Sequence, residues 1–76
     1  MLQMKPRHRQ SEIAVLIGRE GEMSVEALAS RFGASAETIR RDLARLAERG
    51  SVQKVHGGAR RPKLLAEEVD VRYAAQ

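Results

Sequence analysis

The sequence contains no cysteine and no tryptophan, and it has one phenylalanine and one tyrosine in 76 residues. The absence of cysteine excludes disulfides, thiolate zinc sites and cysteine nucleophiles. The scarcity of aromatic side chains argues against a base-stacking surface for single-stranded nucleic acid, which usually needs several rings. The longest apolar run, Ile13–Ile17, is far shorter than the ~20 residues that span a bilayer. We therefore expect a cytoplasmic protein with no membrane partner.

Positive charge is concentrated in one part of the chain. The formal net charge is +4, and residues 35–61 hold seven cations against three anions. Residues 62–76 hold two cations against three anions. A basic segment of this kind is what an anionic partner such as nucleic acid requires. The length fits one small domain.

Glycine and serine positions predict three helices in the first fifty residues. Gly21, Gly33 and Gly50 each follow a stretch with helical periodicity, and glycine is favoured just past a helix end. Ser24 and Ser35 are suitable N-caps for the second and third helices. The predicted helices cover roughly residues 7–20 (with Pro6 at the start), 25–32 and 36–49.

Each predicted helix has an apolar stripe that we expect to form the core. The stripes are Ile13, Leu16 and Ile17 in the first helix; Val25, Leu28, Ala29 and Phe32 in the second; and Ile39, Leu43 and Leu46 in the third. Only residues 33–35 separate the second helix from the third. So short a connection forces a tight corner, which is a helix-turn-helix over about residues 23–42.

The hydrophobic period changes after Gly50. Residues 51–55 include β-branched side chains and predict a strand. Gly57 and Gly58 are expected to supply the positive φ angles of a tight turn, with residues 59–61 as the returning strand. Residues 22–24 could add a third short strand. The predicted fold is mainly α (α+β): a three-helix winged helix-turn-helix over residues 1–61, with its β-hairpin wing at about 51–61 and a linker at 62–76.

The outward face of the third helix carries the candidate chemistry. Arg41, Arg45 and Arg49 are four residues apart, and like charges at that spacing repel unless an anion relieves them. The DNA major groove admits one helix, and an arginine fork can bond two acceptors of guanine. The pattern predicts binding to double-stranded DNA. A solvated face with Glu37–Arg41 and Arg45–Glu48 ion pairs is the alternative explanation.

Ten residues are predicted to contact DNA. We expect Thr38, Arg40 and Arg41 near base edges, with Glu37 accepting from a cytosine amine or orienting Arg41. Contacts to phosphates are assigned to the remaining candidates, which are Ser35, Arg45, Lys54, His56 and Arg60, with Gly57 in the same wing turn.

Other chemistry has little support. His8 and His56, the two histidines, have no acidic or cysteine partner at metal-ligand spacing. No catalytic constellation, cofactor motif or metal site is predicted, so we do not expect an enzyme. A winged-helix module that binds proteins without contacting DNA remains the alternative function.

Three groups of residues together resemble a known family. They are Arg9, Ile13 and Ile17; Ser35 with Thr38–Leu43; and Val55–Ala59. This pattern is similar to the N-terminal domain of the DeoR family of bacterial transcription regulators. The resemblance implies a repressor of sugar or nucleoside catabolism genes that associates with the nucleoid through DNA. It also implies a larger C-terminal domain that binds a sugar-phosphate effector and forms homo-oligomers. We therefore expect this chain to be a fragment or a stub, and by itself a monomer.

Overall fold

The computed structural model describes residues 4–62. Its elements in chain order are α1 (Pro6–Glu20), β1 (Glu22–Ser24), α2 (Val25–Phe32), α3 (Ala36–Glu48), β2 (Gln53–Val55) and β3 (Gly58–Arg60). The three predicted helices, the helix-turn-helix and the hairpin wing are confirmed, and the fold is a mainly helical winged helix-turn-helix. The predicted linker, apart from Pro62, lies outside the described residues. Within residues 4–62, no helix is long and apolar enough to cross a membrane.

Serine caps define where α2 and α3 begin. The Ser24 hydroxyl accepts a hydrogen bond from the backbone N–H of Ala27 at 3.0 Å. The Ser35 hydroxyl accepts one from the N–H of Thr38 at 3.1 Å. Between the two helices, Gly33 ends α2 in the left-handed conformation with φ 62°. The three residues of the corner are thus fixed by a helix stop and a helix start, each with its own backbone requirement.

The core lies where all three helices and the wing meet. Its fully buried large side chains are Ile13, Ile17, Leu28, Ile39 and Leu43. Leu16, Val25 and Leu46 are also buried, while Ala29 and Phe32 pack at the margin. Burying a side chain of this size contributes roughly 1.5–3 kcal/mol. Val52 and Ala59 bring the wing into the same cluster, so the wing is part of the core and not an appendage.

The sheet has the strand order β1-β3-β2, with β3 in the centre. Both pairings are antiparallel: Glu22 and Gln53 lie on either side of Arg60, and Met23 and Lys54 on either side of Ala59. The predicted third strand at 22–24 is confirmed, and it pairs with the returning strand of the hairpin.

One prediction about the wing turn was wrong. Gly57 has φ 79°, but Gly58 does not have a positive φ. Gly58 instead begins β3, one residue earlier than predicted. Glycine is required at position 58 by packing, because a Cβ there would lie 2.2 Å from the carbonyl oxygen of Met23. The two adjacent glycines therefore serve different purposes, one in the turn and one in the close approach of β1 to β3.

The wing is tied to the helices at both ends of β3. The N–H of Val25 donates to the carbonyl of Gly57 at 2.8 Å, which joins the turn to the start of α2. The N–H of Arg61 donates to the carbonyl of Gly21 at 2.7 Å, at the end of α1. These bonds fix the wing relative to the helix-turn-helix.

Candidate nucleic-acid interface

The outward face of α3 is formed by the residues that its core stripe excludes. Ile39, Leu43 and Leu46 are buried, so at about 100° per residue the opposite side carries positions 37, 41, 44 and 48. The side chains of Glu37 and Arg41 are 79% and 70% exposed, and they form the predicted ion pair at 3.3 Å. An exposed pair of this kind contributes at most about 1 kcal/mol, so Arg41 is free to exchange Glu37 for another acceptor.

Arg40 and Arg45 flank this face on its two sides. Both are exposed. The predicted Arg45–Glu48 pair does not form within the described part of the chain. The guanidinium of Arg45 is therefore available to an external anion.

The start of α3 holds two of the predicted contact residues together. Besides capping the helix, the Ser35 hydroxyl donates to the Oγ1 of Thr38 at 3.0 Å. Its proton is used inside the protein, whereas the hydroxyl proton of Thr38 remains for an outside acceptor. Ser35 thus orients Thr38, and its own direct contact with a phosphate stays a prediction.

The wing presents its predicted residues in two directions. His56 and Gly57 are exposed in the turn, and Lys54 and Arg60 are exposed on the strands. Lys54 lies opposite Ala59, whose side chain is buried. Since opposed residues share a face of a sheet and successive residues alternate, Lys54 is on the α3 side and Arg60 on the other. The structure does not bring Lys54 and Arg60 together.

A buried ionic cluster behind α3 was missed by the sequence analysis. Asp42 is 2% exposed, and its carboxylate accepts hydrogen bonds from Nε and Nη2 of Arg9, the latter at 3.1 Å. Gln10 donates to the same carboxylate at 3.0 Å. The hydrogen bond to Asp42 raises the pKa of Arg9, with burial opposing it.

This cluster fixes α1 against α3. No buried side-chain nitrogen or oxygen in the described residues lacks a hydrogen-bond partner, so every buried polar atom of the cluster is hydrogen-bonded. The sequence signal for this pair is that Arg9 and Asp42 both belong to the set of residues that resembles the DeoR family. Helical periodicity alone counted Asp42 only as one more anion on α3.

The described residues hold no group of three His, Asp or Glu side chains that could bind a metal ion. What the site offers is a set of exposed guanidinium, hydroxyl and backbone groups on a rigid helix. Such groups recognise anions and base edges by hydrogen bonding.

Several characterised proteins share this segment. The chain is 42% identical over 59 residues to the glycerol-3-phosphate regulon repressor of Escherichia coli, a match that covers 78% of this chain and 23% of the repressor. It is 41% identical over 56 residues to the HTH-type transcriptional repressor CsqR of the same species, covering 74% and 21%. It is 39% identical over 57 residues to a lactose phosphotransferase system repressor of Staphylococcus epidermidis, covering 75% and 23%.

The matched segment thus spans less than a quarter of these curated relatives. No solved structure matches the chain. The family model of the DeoR-like helix-turn-helix domain matches residues 9–64, which include α1 except for its first three residues, both other helices, the corner and the wing. The chain belongs to the DeoR-like helix-turn-helix domain family.

Proposed function

We propose that these residues form the sequence-specific, double-stranded DNA-binding domain of a bacterial transcription regulator. The observation that carries the proposal is the exposed face of α3 with its flanks, where three exposed arginines (40, 41 and 45) stand against two exposed glutamates (37 and 48), placed directly after the three-residue corner of a helix-turn-helix. Arg41, the centre of that face, is 70% exposed and held only by a weak surface pair. Family membership and the names of the relatives support the same function.

In this proposal α3 lies in the major groove with its first turns toward the bases. Thr38, Arg40 and Arg41 contact base edges, and Glu37 orients Arg41 or accepts from a cytosine. The predicted phosphate contacts come from Ser35 and Arg45 on α3 and from Lys54, His56 and Arg60 on the wing, with Gly57 giving the backbone close access. The opposite directions of Lys54 and Arg60 mean that they contact different phosphates.

The regulated genes are proposed from the relatives. Two of them are named as repressors of a glycerol-3-phosphate regulon and of a lactose phosphotransferase system. We infer that this chain represses genes of sugar or related carbon catabolism, in the cytoplasm and without enzymatic activity. Binding of a sugar-phosphate effector and homo-oligomerisation belong, in this proposal, to a C-terminal domain outside these residues, while residues 1–61 act as the DNA-binding unit.

The test is a titration of the chain against the promoter DNA beside its own gene, with a scrambled duplex of equal length as the control. Tighter binding to the promoter, weakening linearly in log affinity against log salt, is the expected result. Equal and weak binding to both duplexes, unchanged when two copies are joined as a forced dimer, contradicts the proposal and favours a protein-binding winged helix.

A further inference from the structure

A groove of about 420 Å³ lies between the first turn of α1 and α3. Its charged lining consists of one carboxylate, Asp42, and five arginines, which are Arg7, Arg9, Arg41, Arg45 and Arg49. We call it the arginine groove. Thr38, a predicted DNA contact, also lines it, so the groove is continuous with the interface described above.

The carboxylate of the arginine groove is already neutralised. Asp42 is buried and bound by Arg9, which leaves four exposed arginines, at positions 7, 41, 45 and 49. Of these, Arg41 pairs with the exposed Glu37, and within residues 4–62 the others have no ion-pair partner. The lining carries a net charge of five minus one, or +4, which equals the formal net charge of the whole chain.

The first turn of α1 adds to this positive potential. Its N-cap residue, Lys5, makes no side-chain capping bond, and the turn holds no acidic residue. By contrast, α2 and α3 each begin with a serine cap and a glutamate. Cations at a helix start oppose the helix dipole, so a local cost in helix stability accompanies the concentration of arginine here.

The arginine groove and the wing lie on opposite sides of α3. At about 100° per residue, Arg45 and Arg49 fall within roughly 20° of Thr38 around the helix, whereas Ala47 is about 180° away. Ala47 lies beside Val52 and Lys54 of the wing. The outward face around Glu37 and Arg41 is between these two sides.

We propose that Arg7, Arg45 and Arg49 of the arginine groove seat backbone phosphates of one DNA strand, with Arg41 at its edge left to the bases, while the wing side of α3 meets the other strand. The proposal rests on the proposed function, since it requires α3 to lie in the major groove, which is flanked by one backbone on each side. Arginine forks bind phosphate oxygens with two parallel hydrogen bonds. The new contacts assigned in this way are Arg7 and Arg49, neither of which is among the ten residues predicted from the sequence.

The experiment measures the slope of log affinity against log salt for Arg7→Gln, for Arg49→Gln and for the double variant. Arg19→Gln is the matched control, because Arg19 is exposed in the last turn of α1, at the end away from the groove. Removing one arginine–phosphate interaction makes the slope shallower by about 0.9. Over a fourfold increase in salt, the parent should therefore lose affinity by a factor roughly threefold to fourfold larger than the factor for each single variant. This change in slope should be the same on promoter and scrambled DNA and twice as large in the double variant. Arg7→Lys, which keeps the positive charge, should restore the slope of the parent.

If Arg7→Gln and Arg49→Gln have the same slope as Arg19→Gln while the parent still prefers its promoter, the arginine groove does not bind phosphates. The proposed function is then unaffected. A parent chain that shows neither promoter preference nor a salt slope overturns both. A loss confined to promoter DNA also overturns the phosphate assignment, because phosphate contacts carry no sequence information.

Discussion

Arg9 in α1 and the buried Asp42 in α3 form an ion pair across 33 residues of sequence. Their side chains are 14% and 3% exposed. Asp42 is on the same helix as the proposed base-contacting residues, next to Arg41 in the chain. The pair therefore sets how α3, the helix proposed to face DNA, sits on the rest of the domain.

Breaking this pair on one side should destabilise the domain strongly. Arg9→Met leaves the carboxylate of Asp42, only 3% exposed, without its counter-charge and should lower the free energy of unfolding by about 3 kcal/mol. Asp42→Leu leaves the less buried guanidinium of Arg9, 14% exposed, and should cost less. The double variant should cost clearly less than the sum of the two, because both charges are then gone. Chemical denaturation of the parent, the two single variants and the double variant gives the coupling energy between the two residues. Additive losses would show that the two residues do not interact as the structure indicates.

The same pair predicts the response of stability to alkaline pH. The pKa of Arg9 is raised in the folded state. The stability that the ion pair contributes is therefore fully present below the pKa that Arg9 has in the unfolded chain, and it is lost only as pH rises through the folded-state pKa of Arg9. Since that pKa lies above the already strongly alkaline value of a free arginine, the stability difference between the parent and Arg9→Met should stay constant from neutral to moderately alkaline pH. A difference that shrinks over this range would contradict the assigned interaction.

Gly58→Ala should disrupt the sheet, because the new Cβ would lie 2.2 Å from the Met23 carbonyl oxygen and 2.9 Å from the Cα of Ser24. We expect a loss of about 1–3 kcal/mol in the free energy of unfolding, as for other overpacked sites. Gly18→Ala is the control: Gly18 is inside α1 with no atom within 4 Å of the added Cβ, and alanine there should stabilise the helix by about 0.5–1 kcal/mol. Thermal unfolding would show opposite shifts; an unchanged midpoint for Gly58→Ala would contradict the close approach of β1 to β3.

Two serine caps allow stability to be separated from DNA contact. Ser24→Ala and Ser35→Ala each remove a capping bond, and each should cost about 0.5–2 kcal/mol. Only Ser35 also holds the hydroxyl of Thr38. We therefore expect a weaker DNA affinity for Ser35→Ala than for Ser24→Ala under conditions where both are fully folded. Equal affinities would show that neither Ser35 nor its hydrogen bond to Thr38 contributes to DNA binding.

Local signals in the sequence were sufficient for the helices and the corner. Ser24, Ser35 and Gly33 act within one turn of their own positions, so caps and stops could be predicted without knowledge of the fold. The role of Gly58 depends on the pairing of β1 with β3, which brings Met23 close, and no local pattern encodes that distance. The Arg9–Asp42 pair and the arginine groove were missed for the same reason: each joins residues of α1 to residues of α3. Sequence spacing assigned Arg41 and Arg45 to the exposed side of α3 because that assignment depends on helical periodicity alone.

In the proposed function, α3 reads DNA sequence through Arg41. The most direct measurement compares the affinities of the parent, Arg41→Ala and Lys54→Ala for the promoter duplex and for a scrambled duplex. Arg41→Ala should weaken promoter binding by about 1–3 kcal/mol and reduce the preference for the promoter, while Lys54→Ala should weaken both duplexes alike. Equal losses on both duplexes for Arg41→Ala would show that Arg41 contacts the backbone and not the bases, which contradicts sequence reading by α3 through this residue.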